Sequence, residues 1–338
     1  MPVAKPLILS VSIEPARLRT PFRITGHVMD KIDLVVCTLT RAGKTGRGEA
    51  TGVYYHGETG ASMLAQIEAV RGQIEAGATR DALQDILPAG GARNAVDCAM
   101  WDLEAREAGK PAWQLAGLVE PSPLLTTFTL GADTPEAMGI KAAGLQEVKA
   151  LKLKLIGDGQ DVARVKAVRA AAPAVWIGVD ANQAFDRAGT EALLPFLVEE
   201  NVSLLEQPCA IGADETLIGL NSPIPLAADE SAQTSADVSR LAPIYDVINI
   251  KLDKSGGLTE GLKMAHLARE HGLGVMVGNM VGTSLSCGPA ALVGQLCDVV
   301  DLDGPWHLSA DRDPPARYDA GYLVCPPMGW GLPEREAA

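Results

Sequence analysis

Long apolar runs are missing from this chain: no stretch approaches ~20 residues, so no membrane span is expected. Positive charge is scarce, with 29 Lys and Arg against 42 Asp and Glu and a net charge of −13. That balance disfavours nucleic acid or an anionic membrane as partner, because both demand positive patches. A small anionic substrate is not excluded, since one bound cation reverses the local sign. No CxxC pair occurs among Cys37, Cys98, Cys209, Cys287, Cys297 and Cys325. Four of them lie in apolar segments, which predicts buried thiols, a reducing compartment and a cytoplasmic location. The N-terminal MPVAKPLILSVSI has an apolar run too short for a secretory signal and no cleavage site. GxGxxG, P-loop and GxSxG patterns are absent in the required context, as are linkers and low-complexity segments. Histidine supplies no catalytic set: His266 and His271 fall on or at the end of a helix, His307 follows the last strand, and His27 and His56 lie in loops.

What is present is an α/β pattern in two styles. A chain of 338 residues, 47% hydrophobic and 21% charged, exceeds one common core and suits a barrel with an accessory domain. In residues 1–120, two strand candidates at 7–16 and 31–42, followed by GRGEATGVYY (46–55) with glycines as turn markers, precede helical patterns at 61–77 and 91–109, which predicts an α+β capping domain. In the second helix Ala92, Ala95, Ala99 and Leu103 form one apolar stripe, closed by Gly109. Across 121–309 eight strand candidates alternate with seven amphipathic stretches. That repeat predicts a (β/α)7β barrel, a modified TIM barrel. The tail, about 310–338, is expected to pack back on the cap.

Lys152, Lys154, Asp180, Glu206, Asp229 and Lys251 each stand at or near a strand end, with gaps of 26, 26, 23 and 22 residues from Lys154 onward. Those gaps match one strand-helix unit, so the side chains converge on one barrel mouth. Alternation puts Leu151, Leu153 and Leu155 on one face of LKLKL and both lysines on the other. Neither face of a barrel strand meets bulk water, so inward lysines need carboxylate partners. Asp180, Glu206 and Asp229 offer three hard oxygen donors from rigid elements, which suits one Mg²⁺. Glu230, beside Asp229, is expected to support the ligands and not to join them. Lys254 is read as solvated. Removing the weakly acidic proton next to a carboxylate needs a Lewis acid and a base of matched pKa. Two ammonium groups ~5 Å apart repel by roughly 3 kcal/mol, about two pKa units, so Lys152 is expected to lower Lys154. Lys251 enters four strands later, across the barrel, and two bases on opposite faces are what a racemase or epimerase needs.

With these motifs the chain resembles the enolase superfamily, in its muconate-lactonizing-enzyme-like branch, and within it the dipeptide epimerases. The likeness is carried by KxK at Lys152/Lys154, the three ligands, Lys251 in NIKLDKSGGLTE, ARNAVDCAMWDLEAR and DLDGP. It implies catalytic Lys154 and Lys251, with Lys152 beside them, and Asp301 and Asp303 holding the free ammonium of a dipeptide. It implies interconversion of L-Ala-D-Glu and L-Ala-L-Glu in recycling cell-wall peptides, and a homo-oligomer. Arg23, Thr129 and Met280 are further candidates for substrate contact. Met29 stands where a close relative would carry the arginine that clasps glutamate, which leaves the second amino acid open. N-acylamino-acid racemase and o-succinylbenzoate synthase share the lysines and metal site, but their substrates have no ammonium for DLD to hold. A Schiff-base aldolase needs no trio of ligands, and a non-catalytic binding protein needs no pair of bases.

Overall fold

The structure, a computed structural model, describes residues 6–24, 27–325 and 329–333, and no side chain between 22 and 27. It opens with an antiparallel hairpin, β1 (Ile8–Ile24) and β2 (His27–Arg41), to which β3 (Lys44–Ala50) adds. Both strands outrun their sequence-based bounds. Pairing resumes beyond an irregularity between Arg17 and Phe22, a stretch where Pro21 and the shift of register break the strict alternation that marks a strand in sequence.

Helices α1 (Gly60–Glu75), α2 (Arg80–Ile86) and α3 (Gly91–Ala108) cover this sheet, and α4 (Ala112–Leu115) leads away from it. A capping box of Thr59 and Ser62 starts α1. In α3, Ala92, Ala95, Ala99 and Leu103 are all buried, and Gly109 closes the helix at φ 63°. The small stripe lets β3 come so close that a Cβ on Gly48 would stand 2.2 Å from the Ala95 carbonyl.

The segment LLTTFTL divides in two. Its first half, β4 (Leu124–Leu125), pairs with the tail, and its second half, β5 (Phe128–Leu130), begins the barrel. The parallel strands that follow are β6 (Ala150–Lys154), β7 (Trp176–Asp180), β8 (Leu204–Glu206), β9 (Leu226–Ala228), β10 (Val247–Lys251), β11 (Gly274–Gly278) and β12 (Val299–Asp301), in sequential order. The circuit closes where Thr127 N donates to the Val300 carbonyl at 2.9 Å and Leu302 N to Thr126 Oγ1 at 2.8 Å.

Between the strands run α5 (Pro135–Gly144), α6 (Asp161–Ala171), α7 (Arg187–Glu199), α8 (Ser235–Leu241), α9 (Leu252–Ser255), α10 (Leu258–Glu270) and α11 (Ser284–Gly294), and α12 (Gly304–His307) follows the last strand. The connection from β8 to β9 departs from the expected seven helices, carrying only a 3-10 turn at Asp214–Leu217. Gly212 at φ 84° and Gly219 at φ 74° punctuate it too closely for an α-helix. The tail strands β13 (Tyr318–Asp319) and β14 (Tyr322–Leu323) complete the small sheet with β4.

Alternation along the strands makes the site. Outward residues Leu151, Leu153, Ile177, Val179, Ile248 and Ile250 form part of one belt under the helices, each contributing roughly 1.5–3 kcal/mol by burial. Inward residues Leu204, Ala227, Val247 and Met276 pack with Trp176 and Val299 as an apolar plug at the barrel floor. Two residues on toward the strand C-termini, the inward side chains turn polar at Glu206, Asp229, Asn249 and Asp301, while Gly178 and Gly278 leave space between them. Tail and cap meet where Trp330 Nε1 donates to the Arg47 carbonyl at 2.9 Å and Gly331 N to Asp102 Oδ1 at 2.8 Å. No helix among the described residues is long and apolar enough to cross a membrane.

Candidate active site

Lys154, Asp180, Glu206 and Lys251 are each the last residue of a barrel strand, and Asp229 follows the end of β9. The structure brings all of them, with Lys152, to one buried cluster. Asp180, Glu206 and Asp229 each present one oxygen within 4.8 Å of the others. Lys154 Nζ lies 2.5 Å from Asp180 Oδ2, and Lys251 Nζ 2.6 Å from Asp229 Oδ2. Strands β6 and β10 are four apart in a ring of eight, so the two ammonium groups flank the carboxylates from opposite sides. Gly278 makes room for this, because a Cβ there would stand 2.9 Å from Lys251 Cε.

The carboxylates fit a hard divalent cation on two counts. Glu206 Oε2 has no hydrogen bond; Lys152 Nζ lies 2.9 Å away, at ion-pair distance without hydrogen-bond alignment. Burial first, then repulsion from Asp180 and Asp229, pushes the Glu206 carboxyl up to about 8. Three buried oxygens of like charge held together are stabilised by a central cation, and oxygen donors select Mg²⁺ or Ca²⁺ over softer metals.

The inward lysines have the carboxylate partners their burial demands: Asp301 at 2.7 Å, Glu206 at 2.9 Å and Asp180 at 3.2 Å enclose Lys152. Burial lowers the Lys152 pKa, but these carboxylates outweigh burial and hold it well above the ordinary lysine value. Lys251 is raised in the same way, burial being overcome chiefly by Asp229.

Asp301 ends β12, but Asp303 has left the strand and stands at the N-cap of α12. Both carboxylates still line one small cavity of about 50 Å³ with Lys152, Lys154, Lys251 and Thr129. Thr127 Oγ1 donates to Asp301 Oδ1 at 2.5 Å, and Thr129 N to Asp303 Oδ2 at 2.6 Å. Met280 lies apart from them, on a second cavity of about 230 Å³ shared with Met29, Lys31 and Tyr54 of the cap. Val281 borders both cavities. Arg23 and His27 lie outside the residues whose side chains are described.

Sequence reasoning missed several contributors. Lys254 is buried, not solvated, and its Nζ reaches Asp229 Oδ1 at 2.6 Å. Asn249 Nδ2 donates to Glu206 Oε1 at 2.8 Å, and Asn182 Nδ2 to Glu230 Oε1 at 3.1 Å. Gln207 Oε1 accepts from the backbone N–H groups of Asp229 and Ser231 at 2.9 and 3.1 Å, fixing the turn that carries the third carboxylate. His307 Nε2 lies 3.0 Å from Asp303 Oδ2. The i,i+4 spacing of Asp303 and His307 was the available signal. Asp253, two residues beyond Lys251, accepts from Thr51 N and Gly52 N of the cap at 2.9 and 3.0 Å.

Against known proteins, residues 136–337 match the enolase C-terminal domain-like family, and residues 8–117 the mandelate racemase/muconate lactonizing enzyme N-terminal domain. The chain is 39% identical over 307 residues to an L-Ala-D/L-Glu epimerase of Escherichia coli (strain K12), covering 90% of this chain and 96% of that one. It is 42% identical over 242 residues to an N-acetyl-D-glutamate racemase of a Pseudoalteromonas species, covering 71% and 76%. Among solved structures, an Agrobacterium tumefaciens enolase family member with homology to dipeptide epimerases, holding sodium and L-Ala-L-Glu, matches with a TM-score of 0.93. Its identity is 39%, over 97% of this chain and 100% of that one. Matched over nearly its whole length, the chain belongs to the enolase superfamily, in the mandelate racemase/muconate lactonizing enzyme group.

Proposed function

We propose that this protein is a cytoplasmic, Mg²⁺-dependent dipeptide epimerase, with L-Ala-D-Glu and L-Ala-L-Glu as the best-fitting pair. The observation that carries the reading is the placement of Lys154 and Lys251 on opposite sides of one trio of carboxylates. Asp180, Glu206 and Asp229 would hold the cation, which when bound offsets the negative charge that builds on a substrate carboxylate as the α-proton leaves. One lysine, as the neutral amine, takes that proton on its Nζ from one face of the carbon. The other, as ammonium, returns a proton from the opposite face, and both then re-equilibrate with water. The apolar plug and the buried walls keep other water from the carbon. Asp301 and Asp303 supply negative charge on the side where the amino terminus of a dipeptide would lie. The cavity of Met29, Lys31, Tyr54 and Met280 would receive the second side chain.

A second reading, racemisation of an N-acylated amino acid, is favoured by the 42% identity to an N-acetyl-D-glutamate racemase. The test is a set of dipeptides and N-acylamino acids incubated with the protein and Mg²⁺ in D₂O, followed by mass spectrometry and chiral separation. The expected result is α-deuterium and epimer formation for L-Ala-Glu, abolished by EDTA. Lys154→Ala and Lys251→Ala should each lose epimerisation, yet retain exchange into one epimer only. Exchange confined to N-acylamino acids would replace the first reading with the second. Equal labelling of both epimers by either variant would sink the two-base assignment.

A further inference from the structure

Four charged groups set the balance on the side of the cavity facing the substrate's α-nitrogen. Asp301 carries one negative charge and is paired with Lys152 at 2.7 Å. Asp303 carries another, and its partner is His307, whose Nε2 stands 3.0 Å from Oδ2. The His307 side chain is 15% exposed and that of Asp303 6%, so the pair is poorly screened by solvent. Their spacing is fixed, because Asp303 is the N-cap and His307 the last residue of the four-residue α12. His307 also stands on the wall between the small cavity and a larger one of about 560 Å³ that opens beneath the cap hairpin past Thr129 and Trp306.

Lys152 is shared with Asp180 and Glu206 and so offsets Asp301 only in part; an imidazolium at His307 sets a second cation against the acidic pair, and a substrate ammonium is then less favoured. With His307 neutral, this side of the cavity is more negative by one charge. We propose that His307 is the specificity-determining residue for the substrate's α-nitrogen side: charged, it favours a neutral acylated nitrogen, and neutral, it favours a free ammonium. This rests on the reading of the site as acting on dipeptides or N-acylamino acids.

The surroundings are consistent with a proton that comes and goes. Burial opposes the charge on His307, but Asp303 and then Asp301 outweigh it and raise the pKa above the ordinary histidine value, while Lys154 works against them. From the cap, Arg19 of β1 stacks on Trp306 at 5.6 Å and donates to the Leu308 carbonyl at 2.7 Å. At the rim of the larger cavity Asp133 and Lys141 pair with each other at 2.9 Å.

The test compares two substrates that differ only by the ammonium: L-Ala-L-Glu and N-propionyl-L-Glu. The quantity read is the ratio of their kcat/KM values with the Mg²⁺-loaded enzyme between pH 6 and 7.5, a window below the α-amino pKa of roughly 8. Proton changes on the catalytic lysines act on both substrates and cancel in the ratio. In wild type the ratio should rise about tenfold across the window, as one charge-assisted hydrogen bond becomes available. In His307→Gln it should sit at the high value throughout, and in Asp303→Asn at the low value throughout. A flat ratio in wild type overturns the proposal without needing the variants. So does a His307→Gln ratio that follows wild type. Inactivity toward both substrates would overturn the substrate reading and the role of His307 with it, whereas activity with a flat ratio overturns the role of His307 alone.

Discussion

Lys254 lies three residues beyond Lys251, and the single turn of α9 brings both ammonium groups to the same carboxylate. Lys251 takes Asp229 Oδ2 and Lys254 takes Oδ1, each at 2.6 Å, while Lys254 also donates to the carbonyls of Asp229 and Asn249. Removing one member of a buried ion pair typically costs about 3–5 kcal/mol; with Lys251 still on Asp229 Oδ2, the low end applies to Lys254, whose loss leaves Oδ1 without its ammonium. A cation on Asp229 would replace the lost charge. Lys254→Met, close in volume, should therefore lower stability by about 3 kcal/mol in EDTA and recover most of that loss in Mg²⁺. Urea denaturation of both proteins in both conditions measures this. An equal loss with and without Mg²⁺ would make Lys254 a packing element and not a charge partner of Asp229. Strand alternation and repeat spacing exposed Lys154, Asp180, Glu206, Asp229 and Lys251, because a barrel delivers strand ends to one place. Lys254 and His307 were hidden because each reaches the site from a single helical turn after a strand, where period-two reasoning no longer applies.

The cap is fastened to the barrel through α3. Asp97 of this helix accepts from Thr259 N at 3.0 Å and Thr259 Oγ1 at 2.6 Å, at the first turn of α10, and Arg93 donates to the Ser255 carbonyl at 2.6 Å. Burial pushes the Asp97 carboxyl up to about 6, against the lowering effect of the Thr259 bonds and of Arg80 and Arg93. A carboxyl whose folded pKa lies above its unfolded value binds more protons in the native state. Its contribution to stability is therefore full below about pH 4 and is lost as pH rises through about 6. The whole effect is on the order of 3 kcal/mol, for a shift of about two units. Asp97→Asn keeps the shape and cannot ionise. Relative to wild type it should thus gain up to about 3 kcal/mol between pH 4 and pH 7.5, as read from denaturation midpoints across that range. A difference independent of pH would mean that Asp97 titrates like an exposed carboxylate. At this scale the sequence was legible where a single period runs unbroken, as in α3 and the LKLKL strand. It misled where one apolar run serves two partners. LLTTFTL reads as one strand, yet Thr126 and Thr127 turn to close the barrel, so Leu124 and Leu125 are left to the tail.

Cap, barrel and tail meet at one buried carboxylate. Glu49 of β3 accepts from Thr283 N at 2.8 Å and Thr283 Oγ1 at 2.6 Å, at the start of α11. Arg312 of the tail reaches the same Glu49 Oε2 at 2.6 Å and Glu14 of β1 at 2.6 Å. The Glu49 side chain is fully enclosed, so its charge depends on these partners. No comparable bond could be read from the sequence, where Glu49, Thr283 and Arg312 are far apart and each looks like a surface residue. Arg312→Met should cost about 3 kcal/mol, the low end for a buried pair because the guanidinium is partly exposed. Glu49→Gln should cost a similar amount, since the amide still accepts from Thr283 but leaves Arg312 with less to pair. The double variant should be better than the sum of the singles by about 2 kcal/mol, the coupling expected of residues that share one contact. Because this junction ties all three parts, each variant should unfold in one transition at a lower midpoint, followed by both circular dichroism and tryptophan fluorescence. Two separated transitions in Arg312→Met, with wild type showing one, would mean that the cap is held to the barrel chiefly by this junction and can unfold without it. Additive losses in the double variant would mean that Glu49 and Arg312 contribute through Thr283 and Glu14 separately and not through each other.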